Sequence, residues 1–168
     1  MGETGILRPD ACDELIEGEI IDMAPIGTRH AWAVSELTRM LVLKVGERAC
    51  VWTQNPIVLN NRSEPQPDIA LLAPNGQRYR AARPSADDVY LVIEVSDATL
   101  RYDRDVKLPL YARHGIPEAW IVDLEHRVLI VCRDATNAGY RNVRTASDLS
   151  SIAPRALPDC LLDLSAIF

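Results

Sequence analysis

Apolar and polar positions along the chain fall into short alternating runs, broken by two stretches with a three-to-four-residue repeat. Glu14 to Met23 reads ELIEGEIIDM, two β-prone runs around Glu17-Gly18, and predicts a hairpin. Pro25 and Gly27 punctuate the chain, and Thr28 is placed as the N-cap of a helix from Arg29 to about Val45. Ala33, Leu37, Met40, Leu41 and Lys44 recur there at helical spacing, which lays one face on a core. Strands are expected at Cys50 to Leu59, with Pro56 marking an edge or bulge, and at Asp68 to Leu72 directly after Pro67. Val89 to Ser96 (VYLVIEVS) is the strongest strand signal, apolar on both faces for most of its length and therefore central. A second helix is placed between Arg101 and His114, closed by Gly115 as the C′ residue. Pro109 requires its regular part to begin near Lys107 or to bend there. Trp120 to Leu124 and Val128 to Cys132 read as strands joined by the turn Glu125-His126-Arg127. After Asp134 the pattern weakens, and one short strand is expected near Leu161. Helices packed on a mixed sheet follow, an α/β or α+β layer architecture in a single domain over residues 1–168.

Composition narrows the class. The 168 residues are 48% hydrophobic and 25% charged, an ordinary globular mix that excludes a disordered chain. The formal charge of −6 argues against a general nucleic-acid coat, though it allows a local basic patch. No apolar stretch approaches the roughly 20 residues a membrane helix needs. The N-terminus lacks a signal-peptide pattern, and Ile6 stands where a myristoylation site wants Ser or Thr. Cys12, Cys50, Cys132 and Cys160 are scattered without a CxxC pair, which fits reduced thiols in a cytoplasm better than disulfides or zinc. Trp32, Trp52 and Trp120 are assigned to the core, since the chain has one Phe.

Candidate chemistry begins with a charge where apolar residues are expected. Glu94 lies near the end of the buried run, and an unpaired buried carboxylate is costly. Asp68 raises the same question at the start of DIALL. Two carboxylates meeting on adjacent strands raise each other's pKa unless a cation lies between them. A hard divalent ion such as Mg²⁺ suits that position, taking carboxylates, waters and phosphate oxygens. It can lower the pKa of a water and stabilise charge on a phosphodiester. Lys107, on the following helix, can add a positive charge if that helix folds back over the sheet. Each residue also has a simpler reading. Asp68 can cap a turn, Glu94 can pair with an arginine, and Lys107 can pair with Asp103 one helical turn earlier.

The segments SEPQPDIALL (Ser63 to Leu72), LVIEVSDATLRYDRDVKLPLYARHGIPEAWIVDL and the early ELIEGEIIDMAP followed by His30 resemble the Uma-two family of endonucleases, from about Glu14 to Phe168. That family is similar to the restriction-endonuclease-like fold of the PD-(D/E)XK superfamily. The resemblance implies a mixed central sheet flanked by helices, an N-terminal β-hairpin and a divalent-metal phosphodiesterase centre. Asp68 matches the aspartate of the PD element and Glu94 the acid of the second element, both as metal ligands for Mg²⁺ or Mn²⁺. Ser96 departs from the pattern, standing at the usual lysine position, and Lys107 matches a lysine moved to the next helix. Glu19 matches a recurrent family acid, and pairing into a homodimer is a further implication of the resemblance.

Softer candidates complete the set. Gln54 can project into the same cleft or form a cross-strand amide contact, and His30 can shuttle a proton, touch phosphate or be structural. Arg62, Arg78, Arg80, Arg83, Arg101 and Arg104 are candidates for phosphate contacts. The leading expectation is a metal-dependent endonuclease acting on DNA. Its rival is a catalytically inactive relative that serves as a binding or assembly protein. A carboxylate-pair glycosidase ranks third, because aromatics at 5% leave little for a sugar-binding cleft.

Overall fold

The computed structural model describes residues 13–22 and 26–168. The expectations placed on Met1, Gly2, Ile6, Cys12, Met23 and Pro25 lie outside these residues. A hairpin of β1 (Asp13–Ile16) and β2 (Glu19–Asp22) opens the fold, followed by helix α1 (Thr28–Val45). Thr28 is the first residue of α1; Gly27 occupies the cap position, and no side chain caps the helix. The chain then supplies β3 (Cys50–Thr53), β4 (Ile69–Leu72), short α2 (Gly76–Ala81) and β5 (Val89–Ser96). A helical segment follows as α3 (Leu100–Tyr102), a π turn (Asp103–Lys107) and α4 (Leu108–Arg113). β6 (Glu118–Asp123), β7 (Val128–Thr136) and β8 (Gly139–Thr145) complete a six-stranded sheet in sequence order. Only β5 and β6 are parallel; the other neighbours are antiparallel.

The sheet is covered on both faces. On one, Ala33, Val34, Leu37, Leu41 and Val45 of α1 pack with Leu91, Ile93, Val95, Trp120 and the C-terminal segment. On the other, Leu108 and Tyr111 of α4 pack with Val92, Ala119 and Ile121. Full burial of a side chain such as Leu37 or Leu41 contributes about 1.5–3 kcal/mol, which makes α1 a fixed platform. β5 departs from simple alternation at its start. Leu71 pairs with Leu91 but Leu72 with Val89, so Tyr90 is an extra residue and the facing of Val89 is inverted.

Several elements differ from the sequence expectation. β3 ends at Thr53 because Gln54 takes a positive φ of 49°, and only an isolated bridge at Val58 follows. β8 was not expected, and the strand placed near Leu161 is a single bridge between Ile152 and Leu162. Trp120 is fully buried, whereas Trp32 is 52% exposed on α1 and Trp52 is half-buried against Tyr79. Pro109 falls in the first turn of α4. There its ring would otherwise press on the carbonyl four residues back, and the wider π turn before it relieves that conflict.

Candidate active site

Strand register sets the first three positions. Ile69 pairs with Ile93 and Thr53 with Ile69, so the next step along each ladder places Gln54 beside Asp68 and Asp68 beside Glu94. The Gln54 N–H donates to the Asp68 carbonyl at 3.0 Å, which carries the ladder one residue past the formal strand end. The Val95 N–H donates to Asp68 Oδ2 at 2.8 Å, tying the aspartate to β5. Cross-strand partners share a face, so the two acids arrive side by side through pairing alone.

The helical segment closes the site from above. With the π turn in place, Lys107 points under the helix and lies 2.9 Å from both Glu94 Oε1 and Glu14 Oε1. Its expected partner Asp103 instead accepts hydrogen bonds from Ser96 Oγ and Thr99 Oγ1, each at 2.7 Å. Tyr111, on α4, donates its hydroxyl to Glu94 Oε1. Glu14 reaches the site from β1, where it shares the inward-facing phase with Ile16, and the Gln66 N–H donates to it at 2.8 Å. His30 Nε2, at the start of α1, contacts Asp68 Oδ2 at 3.1 Å. Glu14, His30, Asp68, Glu94, Asp103 and Lys107 line a cleft of about 490 Å³ between the hairpin, the start of α1 and the helical segment, with Gln54, Asp97, Thr99 and Tyr102 on its walls.

Electrostatics follow from burial. Four carboxylates (Glu14, Asp68, Glu94 and Asp103) face Lys107 and His30, an excess of negative charge in a site largely shut off from water. Burial, with Asp103, Asp68 and Glu14 nearby, pushes the Glu94 carboxyl up to about 8 despite Lys107. Burial also raises Asp103. Burial alone would lower Lys107, but Glu94, Glu14 and Asp103 outweigh it and keep the ammonium charged. The hydrogen bond to Asp68 raises His30 against the opposing effect of burial.

The donor set defines what the site can hold. Hydrogen bonds engage Asp68 Oδ2 and Glu94 Oε1, while Asp68 Oδ1 and Glu94 Oε2 have no partner among the described residues. No three His, Cys, Asp or Glu side chains among the described residues form a ready-made metal cage. Two open carboxylate oxygens fit a hard cation that retains waters and takes a phosphate oxygen, as Mg²⁺ does, and are too few for a four-ligand structural zinc site.

Of the sequence candidates, Asp68, Glu94, Lys107, Gln54 and His30 come together in the cleft, and Glu19 does not: it is exposed at the turn end of β2 and absent from the cleft lining. Glu14, Asp103 and Tyr111 complete the constellation without having been singled out. Glu14 carried a readable signal, an acid in phase with the apolar Ile16. None of the six candidate arginines lines the cleft. Arg62 donates to the Glu17 carbonyl, Arg78 pairs with Asp88, Arg83 with Glu64, and Arg101 and Arg104 both with Asp105. Arg80 is exposed. Arg29 binds Asp97, which lines the cleft, and the Leu124 carbonyl.

Comparison with known proteins bears on the fold and the family. The solved structure of a protein described as "a putative nuclease belonging to DUF820", from Anabaena variabilis, aligns with a TM-score of 0.71 over 93% of this chain and 89% of its own. At 15% identity that likeness shows the fold. No curated protein matches the sequence. The family model described as "Uma2: Putative restriction endonuclease" matches residues 8–165, which span the sheet, the hairpin and the helical segment. The chain therefore belongs to the Uma2 family.

Proposed function

We propose that the protein is a divalent-metal-dependent endonuclease that hydrolyses phosphodiester bonds in DNA, and that the cleft is its active site. The observation that carries this reading is the pairing of Asp68 and Glu94 on adjacent strands, each with one oxygen free of protein partners, in a cleft with surplus negative charge. Asp68 and Glu94 would hold Mg²⁺ or Mn²⁺. When bound, the ion would supply Lewis-acid stabilisation of the phosphodiester and a more acidic water. Asp68 is held by the Val95 N–H and His30, so its free oxygen is pre-oriented. Glu94 is fixed by Lys107 and Tyr111. Lys107 stays protonated and offers positive charge where a pentacovalent phosphate would gather negative charge. Gln54 lies beside Asp68 and is placed to orient substrate or water.

Plasmid nicking with Mg²⁺ or Mn²⁺ tests the reading, alongside Asp68→Ala, Glu94→Ala and Lys107→Ala. Activity in the parent and its loss in the two acid variants is the expected result; equal nicking in all four proteins would overturn it. A second reading keeps the fold without the reaction, as a binding or assembly protein. It is favoured by the double engagement of Lys107, which leaves the ammonium between two carboxylates. Equal, weak Mn²⁺ affinity in the parent and both acid variants would support that alternative.

A further inference from the structure

Among the described residues, only two buried side-chain polar atoms lack a hydrogen-bond partner: the Tyr102 hydroxyl and His30 Nδ1. Both residues line the same cleft, from opposite elements. A buried hydroxyl without a partner costs about 1–3 kcal/mol, so such atoms are rare unless something else satisfies them. The Tyr102 case is the more telling. Glu14, Asp103 and Glu94, all capable acceptors, line the cleft with Tyr102, yet its hydroxyl bonds none of them. Burial, with Glu14 close by, pushes the phenol up to about 12, so the group is a hydrogen-bond donor at neutral pH.

Beyond the side-chain amides of Gln54 and Gln66, donors are scarce in the cleft. Lys107 is held by two carboxylates, Thr99 by Asp103, and the Nε2 side of His30 by Asp68. A phosphodiester entering an acid-lined cleft needs a neutral donor for the oxygen that is not shared with the cation. We propose that Tyr102 is a substrate-contact residue, its hydroxyl donating to a non-bridging oxygen of the phosphodiester next to Asp68 and Glu94. This rests on the nuclease reading and names the chemical group that Tyr102 recognises. His30 Nδ1 is the second buried atom without a partner, and His30 lines the same cleft.

Tyr102→Phe removes only the unbonded oxygen, so folding is not at risk. Three measurements decide the matter: thermal melting without metal, binding of a labelled oligonucleotide in Ca²⁺ by anisotropy, and plasmid nicking in Mg²⁺. The variant is expected to melt at the same temperature or higher, because nothing in the protein loses a partner. Oligonucleotide binding and the KM of nicking should weaken on the order of tenfold, as for a hydrogen bond to a charged acceptor. Unchanged binding and KM in the variant, with an active parent, would overturn the contact while leaving the nuclease reading standing. A clearly lower melting temperature would also overturn it, by revealing a protein partner for the hydroxyl. A parent that neither binds nor nicks DNA would remove the nuclease reading and the assignment with it.

Discussion

Two buried glutamates on neighbouring parallel strands make an instructive contrast. Glu118, at the start of β6, is fully buried, and both of its oxygens are occupied. Oε1 accepts from Arg133 Nε at 2.7 Å and Trp120 Nε1 at 2.9 Å, and Oε2 from the Arg155 N–H at 2.6 Å. Glu94, near the end of β5, is almost as buried. Its hydrogen bonds fall on one oxygen, however, and its cation is shared with Glu14 in the company of two further acids. The first carboxylate is compensated, and it fastens the C-terminal segment to the sheet. The second is left short of positive charge and open to a cleft. Burial alone therefore does not mark a functional acid; incomplete compensation next to open space does.

The sharpest way to break this contrast is to remove Glu118. Glu118→Ala strands the Arg133 guanidinium and two further donors, and should cost about 3–5 kcal/mol in chemical denaturation. Nicking by the surviving folded protein should be unchanged. The next effect in size is the mirror image. Glu94→Gln should lower nicking by about 10²–10³-fold, the range seen when a preorganised electrostatic group is lost. Its denaturation midpoint should stay close to that of the parent, because Lys107 keeps Glu14 as a partner. A Glu94→Gln protein as unstable as Glu118→Ala would make the two acids equivalent and collapse the distinction.

Acidity gives a smaller, independent test. The Glu94, Asp103 and His30 pKa values are all raised in the folded state. A folded state that binds protons more tightly than the unfolded chain loses stability as pH rises between the two pKa values. For Glu94 that window runs from its ordinary 4.5 to about 8, and His30 acts in the same direction above its ordinary 6.5. In EDTA the protein should melt at a higher temperature at pH 5.5 than at pH 8. Glu94→Gln should flatten part of that slope. A melting temperature that rises over the same interval would contradict the charge imbalance inferred for the cleft.

Much of this was legible in the chain. β5 was read to the residue, because an eight-residue apolar run on both faces has few other homes. Glu94 was legible for the same reason, as an acid inside that run, and Asp68 through its place at the start of the neighbouring strand. What stayed hidden depended on side-chain direction or on an unusual backbone. Lys107 was named as a site candidate through the family resemblance, but its pairing with both Glu94 and Glu14 was not legible, because it follows from the π turn before it. Glu14 and Glu19 look alike in ELIEGEIID, yet the turn at Glu17-Gly18 buries the first and exposes the second. β8 was missed because GYRNVRT is a largely exposed edge strand without apolar alternation. Trp32 followed the rule that large aromatics are buried, but sits on the outer face of α1.

The smallest predicted effect concerns how Glu14 is delivered. Gly18 closes the β1–β2 turn with φ at 94°, a region that L side chains rarely adopt. A Cβ there would meet Arg62 Nη2 at 2.9 Å, the mobile end of a side chain that can move aside. The strain of Gly18→Ala is therefore mainly in the backbone, at about 1–2 kcal/mol. Gly139 offers the matched control at the β7–β8 turn: its φ is 123°, nothing lies within 4 Å of a Cβ there, and it is absent from the cleft lining. Both alanine variants should lose similar stability. Only Gly18→Ala should speed amide exchange across residues 13–22 and lower nicking, by less than Glu94→Gln does, because only that turn sets the position of Glu14 against Lys107. Equal nicking by the two variants would mean that the hairpin does not hold Lys107 in its working position.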